Sequence, residues 1–170
     1  VEELQTHGGS LRIYGKHAED QSKGISERVA ELLEREASKG LTTTAYYQDF
    51  RERASRIKYD LLKFLIEQKE NGKCVMGYGA AAKGNSLLNF CGVRKDLVSA
   101  VVDASPHKQK KYMPGSHIAV VSEEEIRRRK PDFVLILPWN IKEEIMEQLD
   151  YIRTWGGRFV VSNPSVRVLP

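Results

Sequence analysis

Long apolar runs and paired cysteines are both missing from this sequence of 170 residues. No apolar stretch approaches the roughly 20 residues that a membrane-spanning helix needs, and no signal peptide opens the chain. Cys74 and Cys91 are the only cysteines and form no C-x-x-C pair, which excludes a four-ligand zinc cluster within this chain. This cysteine usage is typical of a reducing compartment, so we expect a cytoplasmic chain with no membrane partner and no metal site of its own.

The sequence also has little excess charge. It has 27 lysines and arginines and 23 aspartates and glutamates, which gives a formal charge of +4. A net charge this small favours small anionic ligands over nucleic acid. A hydrophobic content of 41% is enough for one core with extensions. Because the chain starts at Val1 without a methionine, we expect it to be part of a longer protein.

The stretch KCVMGYGAAAKGN, residues 73–85, predicts a strand, a tight turn and the start of a helix. In this interpretation Gly77 takes backbone angles closed to other residues, Gly79 lets a ligand approach the main chain, and Ala82 lets the helix lie near its strand. The exposed amides and the helix dipole then favour a phosphate, and Lys83 adds a full charge. A glycine turn that merely packs is the alternative.

Strands and helices alternate through the last hundred residues, which predicts right-handed crossovers and an α/β fold. Continuous apolar runs such as FVLIL indicate strands of a parallel sheet that is covered on both faces. The fold class expected is a Rossmann-like, doubly wound, mainly parallel sheet of about five strands. The predicted strands are 74–78, 98–103, 118–121, 133–137 and 158–162, and the predicted helices between them are 81–90, 122–129 and 142–154.

Two helices and an isolated strand precede this sheet in the prediction. The first helix begins near Ser26 and stops at Gly40, and a longer one runs to Asn71 with an apolar seam that could also serve a homodimer. Before them THGGSLRIYG alternates as a half-buried strand does, with no neighbouring strand predicted for it. His7 in this segment is either a substrate-facing histidine or an ordinary loop residue.

Polar residues follow two more strands. Asp103 stands about twenty residues beyond the glycine turn, where an acid would hold the ribose in a nicotinamide enzyme, and a loop with Lys108, Lys110, Lys111, His107 and His117 comes after it. That loop is either solvated surface or a cover over a diphosphate. Pro138-Trp139-Asn140 follows the fourth strand, with Asn140 expected to cap the next helix and Trp139 expected either to stack on a base or to fill the core.

Four separated motifs carry a family resemblance: GYGAAAKGNSLLNFCGV, VVDASPHKQKKYMPGSHI, PDFVLILPWNIKEEI and THGGSLRIY. Together they resemble the C-terminal domain of SAM-dependent sugar C-methyltransferases, over nearly the whole chain. Proteins of that family have an N-terminal zinc-binding region, a central SAM-binding domain and a C-terminal Rossmann-like domain that helps to hold a nucleotide-linked deoxysugar. The resemblance implies that this chain is the substrate-side domain, inactive by itself, with S-adenosylmethionine and zinc bound by missing domains.

The resemblance also implies a domain division and a ligand site. Residues 1–20 would be a remnant strand and linker of the SAM-binding domain, 21–71 a helical segment and 72–170 the Rossmann-like domain that binds a TDP-type nucleotide-sugar. The expected contacts are Gly77, Gly79, Ala80, Lys83, Gly84 and Asn85 at the diphosphate, Asp103, Lys108 and Lys111 nearby, and Pro138, Trp139 and Asn140 at the base.

The sequence departs from the family pattern at two positions and is compatible with two alternative functions. Members usually have proline at the position of Ala81 and glycine at that of Lys110, and the family's Tyr-x-Glu-His motif has no counterpart here, so no catalytic residue is expected in this fragment. The glycine turn and Asp103 also favour an alternative function, which is an NAD(P)-binding domain of an oxidoreductase or sensor. The other alternative is an interaction module that dimerises through its long helix.

Overall fold

The computed structural model describes residues 1–169, without the side chain of His7, and the chain divides into two compact units. The first unit is residues 1–53, and the second begins at Ala54. The prediction that His7 faces the sugar lies outside the described part of the chain.

The first unit contains a β-hairpin, so the strand predicted to be isolated has a partner. Strand β1 (Glu2–Leu4) pairs antiparallel with β2 (Ser10–Arg12) around a 3₁₀ turn at Thr6–Gly8. Gly8 and Gly9 have φ angles of +85° and +114°, and this left-handed backbone turns the chain back on itself. The sequence pattern indicated only that the glycine pair leads into a strand, and the reversal of the chain there was missed.

Helices follow the hairpin. Helix α1 (Glu27–Ser38) begins as predicted, because Ser26 Oγ accepts a hydrogen bond from Arg28 N at 3.3 Å. The long helix predicted after it consists of α2 (Ala45–Gln48) and α3 (Phe50–Glu70).

The second unit is an α/β structure with a mainly parallel sheet, as predicted. Its described residues form a six-stranded sheet in the order β5-β4-β3-β6-β7-β8. The strands are β3 (Val75–Tyr78), β4 (Val101–Val102), β5 (Val120–Val121), β6 (Phe133–Ile136), β7 (Arg158–Val161) and β8 (Arg167–Leu169). The five predicted strands are present within their predicted ranges, and the unpredicted β8 pairs antiparallel with β7. A strand of three residues offers too short a pattern to detect from sequence.

Helices cover both faces of the sheet and complete two core clusters. Helix α4 (Ala82–Cys91) packs with α3 on one face, and α5 (Glu124–Arg129) and α6 (Lys142–Gln148) lie on the other. A 3₁₀ segment, Asp150–Trp155, follows α6 where a longer helix was predicted. Buried members of the first cluster include Leu61, Leu65, Leu88, Val75 and Leu135, and those of the second include Ile126, Ile145, Met76, Val134 and Phe159.

The strand order sets where a ligand site can form. The chain leaves β3 for β4 and β5 on one side and then returns to β6 and β7 on the other side. In sheets of this kind, ligands bind beyond the carboxyl ends of the strands where the winding reverses, which here is the turn after β3. Within the described residues, no helix is both long and apolar enough to cross a membrane.

Candidate functional site

The turn between β3 and α4 has its left-handed residue at Gly79. Gly79 has a φ of +92°, its amide donates to Val102 O at 2.7 Å, and the amide of Ala81 donates back to Gly79 O at 2.8 Å. The prediction that Gly77 needs unusual backbone angles is wrong, because Gly77 lies inside β3. A Cβ there would lie 3.1 Å from Val101 Cγ2, so β3 is closely packed against β4 at Gly77.

Pro138 and Leu137 occupy the space that side chains at Gly79 and Gly84 would need. A Cβ on Gly79 would lie 2.5 Å from the Cδ of Pro138, so the proline ring fills the space that a side chain at Gly79 would occupy. A Cβ on Gly84 would lie 2.6 Å from Leu137 Cβ, whereas Ala82 is exposed. The close approach of α4 to the sheet therefore depends on Gly84 and not on Ala82.

Asp103 is an internal partner of the glycine turn. The residue is 8% exposed, and its Oδ2 accepts hydrogen bonds from Ala80 N at 2.8 Å and from Lys108 Nζ at 3.0 Å. The other oxygen, Oδ1, accepts from Ser105 N at 2.9 Å. One carboxylate thus holds the turn, the start of the basic loop and a lysine together, and a buried charge that is satisfied in this way stabilises its surroundings.

The basic loop after β4 is fixed against the sheet and α4. The amide of Lys110 donates to Val120 O at 2.9 Å, and the amide of Val120 donates to Lys111 O at 2.8 Å. From α4, Asn89 Nδ2 donates to Pro114 O at 2.8 Å. These hydrogen bonds fix the backbone of the loop, while the side chains of Lys108, Lys110 and Lys111 are exposed, so both interpretations of the loop stay predictions.

Lys110, one of the two departures from the family pattern, has a left-handed backbone conformation. Its φ is +63°, in the left-handed region that glycine adopts without steric cost and that other residues rarely adopt. The glycine that the resemblance implies for this position would therefore match the backbone that the structure shows. Lysine keeps the same backbone and adds a positive charge.

A cavity of about 170 Å³ lies between the glycine turn and this loop. Its walls are mostly apolar, and three basic side chains also line it. The apolar lining is Ala80, Tyr112, Met113, Pro114 and Val120, and the basic lining is His107, Lys108 and Lys111.

Lys83, Trp139 and Asn140 form a second group beside the turn. Lys83 Nζ donates to Asn140 Oδ1 at 3.3 Å and lies 5.8 Å from the centre of the Trp139 ring. Trp139 is partly buried and packs against the second core cluster, as the core-filling interpretation expected. The prediction that Asn140 caps the next helix is wrong, because the capping position before α6 is Ile141 and no side chain bonds there.

The predicted residues thus divide between two sides of one turn. Ala80, Asp103, Lys108 and Lys111 meet on the β4 side, and Gly79, Lys83, Pro138, Trp139 and Asn140 meet on the β6 side. Gly77 and Gly84 are packed into the sheet and helix interface. Asn85 turns its Oδ1 inward, where this atom is buried without a hydrogen-bond partner among the described residues.

A polar network behind the turn was not predicted from the sequence. Tyr151 Oη donates to Glu123 Oε1 at 2.9 Å, and Gln148 Nε2 donates to Glu123 Oε2 at 2.7 Å. Burial raises the pKa of Tyr78, and the nearby Glu123 carboxylate raises it further. Burial also raises the pKa of Tyr151, as does its hydrogen bond to Glu123. Tyr78 sits inside the G-Y-G motif, and this was the signal available in the sequence.

Neither cysteine is paired in a disulfide. Cys74 and Cys91 are free thiols, and burial raises the pKa of Cys91. Across residues 1–169, apart from the side chain of His7, no three His, Cys, Asp or Glu side chains converge to hold a metal ion.

Comparison with known proteins agrees with the four sequence motifs. Residues 5–164 match the family described as C-methyltransferase C-terminal domain. The chain is 33% identical over 169 residues to the C-methyltransferase NovU of Streptomyces niveus. The alignment covers 99% of this chain and 40% of that relative, so the chain spans well under half of the relative's length.

Proposed function

The chain belongs to the C-methyltransferase C-terminal domain family, and on that basis we propose that it is the substrate-binding part of a longer SAM-dependent C-methyltransferase. Its ligand would be a nucleotide-linked keto-deoxysugar of the TDP type, anchored through the diphosphate. The second unit would act as a Rossmann-like domain, which the strand order and the position of the glycine turn support.

The observation that carries this proposal is the arrangement of cations around the turn. Lys108 and Lys111 line the cavity on one side, and Lys83, in the first turn of α4, lies on the other. The dipole of α4 adds positive potential at the same place. A ligand with two linked phosphates can span such a site, whereas a single carboxylate would use only part of it.

The role proposed for this chain in the reaction is to position the sugar. The methyl group would come from S-adenosylmethionine held by another domain. By fixing the diphosphate, Lys83, Lys108 and Lys111 would hold the sugar carbon in one orientation, and such positioning supplies a large part of many rate enhancements. The base that removes the proton next to the keto group, and the group that stabilises the enolate, would belong to that other domain.

A partner domain also accounts for the surface of the first unit. Among the described side chains of residues 1–53, none is buried, and Ile13, Tyr14 and Ile25 are each more than 60% exposed. Exposed apolar side chains such as these would lose contact with water if another domain packed against them. We propose that the first unit packs against the SAM-binding domain of the longer protein.

Thermal unfolding with added nucleotides tests the binding proposal. UDP or TDP at millimolar concentration should raise the Tm, because a ligand selective for the folded state stabilises it by about 2.7 kcal/mol at 100 times its Kd. Lys83→Ala should reduce that rise. Lys95→Ala is the matched control, since it removes the same charge beyond the other end of α4 and should leave the rise unchanged. An unchanged Tm with every nucleoside diphosphate would contradict the proposal.

An NAD(P)-binding domain is the second candidate, favoured by the position of Asp103 after β4 beside the glycine turn. Both oxygens of that carboxylate already accept hydrogen bonds from Ala80 N, Lys108 Nζ and Ser105 N, which leaves less capacity for a ribose. Titration of the protein into NADH, followed by nicotinamide fluorescence, separates the two functions. Binding of NADH that is tighter than that of UDP would favour the oxidoreductase or sensor.

A further inference from the structure

The cavity between the glycine turn and the basic loop has the size of one aromatic ring. Its volume is about 170 Å³. An engineered cavity of about 150 Å³ binds benzene, whereas pockets that enclose a whole small ligand measure roughly 300–1,000 Å³. This cavity therefore suits one flat part of a larger ligand whose remainder lies outside.

The walls of the cavity suit the face of such a ring. Met113 and Val120 are 3% and 4% exposed and belong to the core, so they form a fixed apolar floor. Tyr112 is 68% exposed and stands at the wall. Its backbone is anchored by a bridge to Ala119, and a large part of its side-chain surface is open for stacking.

The charges at the cavity suit an anion attached to the ring. Lys108 and Lys111 line the cavity together with His107, and Ala80 of the glycine turn forms part of the wall. An anion joined to a ring in the cavity would therefore lie next to the turn. A nucleotide has this pattern, with a planar base at one end and phosphates at the other.

Trp139, the base contact predicted from sequence, is less suited to this role. Its ring packs against the second core cluster and has the Lys83 ammonium 5.8 Å from its centre. A residue held between core and cation has little open face for a base. The ammonium is better suited to the diphosphate or the sugar end of the ligand.

We propose that this cavity is the nucleobase subsite, with Tyr112 as its stacking residue, and that the ligand runs from there across Ala80 toward Lys83 and Asn140. The inference rests on the proposed nucleotide-sugar function and adds the direction in which the ligand lies. The sugar, and with it the carbon to be methylated, is then on the β6 side of the turn.

Isothermal titration with two ligands tests the subsite. UDP has both base and diphosphate, and inorganic pyrophosphate has only the anion. Tyr112→Ala should weaken UDP binding by about fivefold to a hundredfold, the range that removal of one base–aromatic stack gives, and should change pyrophosphate binding less than twofold. Tyr59→Ala is the matched control, because Tyr59 is similarly exposed, at 66%, and lies on α3.

The outcomes distinguish the subsite from the function it serves. If UDP and pyrophosphate bind equally well, or if Trp139→Ala weakens UDP selectively while Tyr112→Ala does not, the base is not in this cavity, although the diphosphate site stands. If neither ligand binds, the proposed function fails as well. A circular dichroism spectrum unchanged in Tyr112→Ala confirms that the variant is folded.

Discussion

Gly79→Ala is the substitution that most directly tests the geometry of the turn. Two separate costs apply to it. An alanine in the left-handed region costs about 1–2 kcal/mol. The new methyl group would also lie 2.5 Å from Pro138 Cδ and 2.7 Å from its Cγ. A proline ring cannot rotate away, so overpacking adds about 1–3 kcal/mol.

These costs give an expected loss of stability of about 2–4 kcal/mol. The two terms together reach about 2–5 kcal/mol, and the lower flexibility of the unfolded chain returns about 0.4–1 kcal/mol. Urea unfolding followed by circular dichroism measures the free energy of unfolding directly. The loss should appear as a lower midpoint with an unchanged slope.

Gly92→Ala is the matched control for the backbone term. Gly92 also has a positive φ, +76°, but its added Cβ would have no atom within 4 Å. We expect about 1 kcal/mol of destabilisation there, so the difference between the two variants measures the contact with Pro138. In the double variant Gly79→Ala/Pro138→Ala, the loss should be smaller than the two single losses combined. Equal losses at Gly79 and Gly92 would refute the idea that Pro138 covers the turn.

Two further predictions concern carboxylates that tie segments together. Asp103→Ala should lower the free energy of unfolding by about 1–3 kcal/mol, because Ala80 N–H loses its acceptor, and Asp103→Asn, which keeps an oxygen there, should lower it less in the same urea assay. Burial raises the pKa of Asp132, but hydrogen bonds from Cys74 N–H and Lys73 outweigh it and hold the pKa below its usual 3.8. Because the folded pKa is depressed, this stabilisation is present above the unfolded value and is lost as pH falls through the folded one. The Tm difference between the unsubstituted protein and Asp132→Asn should therefore be full at pH 7 and shrink below about pH 4, and a difference independent of pH would contradict it.

Much of the architecture could be predicted because short stretches of the sequence are enough to indicate its strands and helices. Phe133 to Leu137 is a continuous apolar run, and Ser26 before a helical pattern is a local capping signal, so strand and helix were both found. The hairpin strand β1 and the edge strand β8 were missed because each has only three residues, too few to show an alternating pattern. In the same way, the alternation of strands and helices predicted a parallel sheet but not its short antiparallel edge.

The site was predicted only in outline, because its details come from residues far apart in the chain. The glycine turn, Asp103 and the basic loop were each found, yet no sequence pattern shows that Pro138 covers Gly79 or that Asp103 already binds Ala80 N. The close approach of α4 to the sheet was assigned to Ala82 instead of Gly84 for the same reason. The residue that α4 contacts there is Leu137, which is far from both in the sequence. Which of the predicted residues contact a ligand stays a prediction.

The loop that forms the cavity wall also covers an edge of the sheet. Strand β5 is the last strand on its side, and the hydrogen bonds of Lys110 N and Lys111 O to Val120 occupy part of its outer backbone. Uncovered strand edges recruit other chains and lead to aggregation. A substitution that loosens this loop to admit a larger ligand would therefore also expose β5, so variants selected for a broader substrate range should be harder to keep in solution.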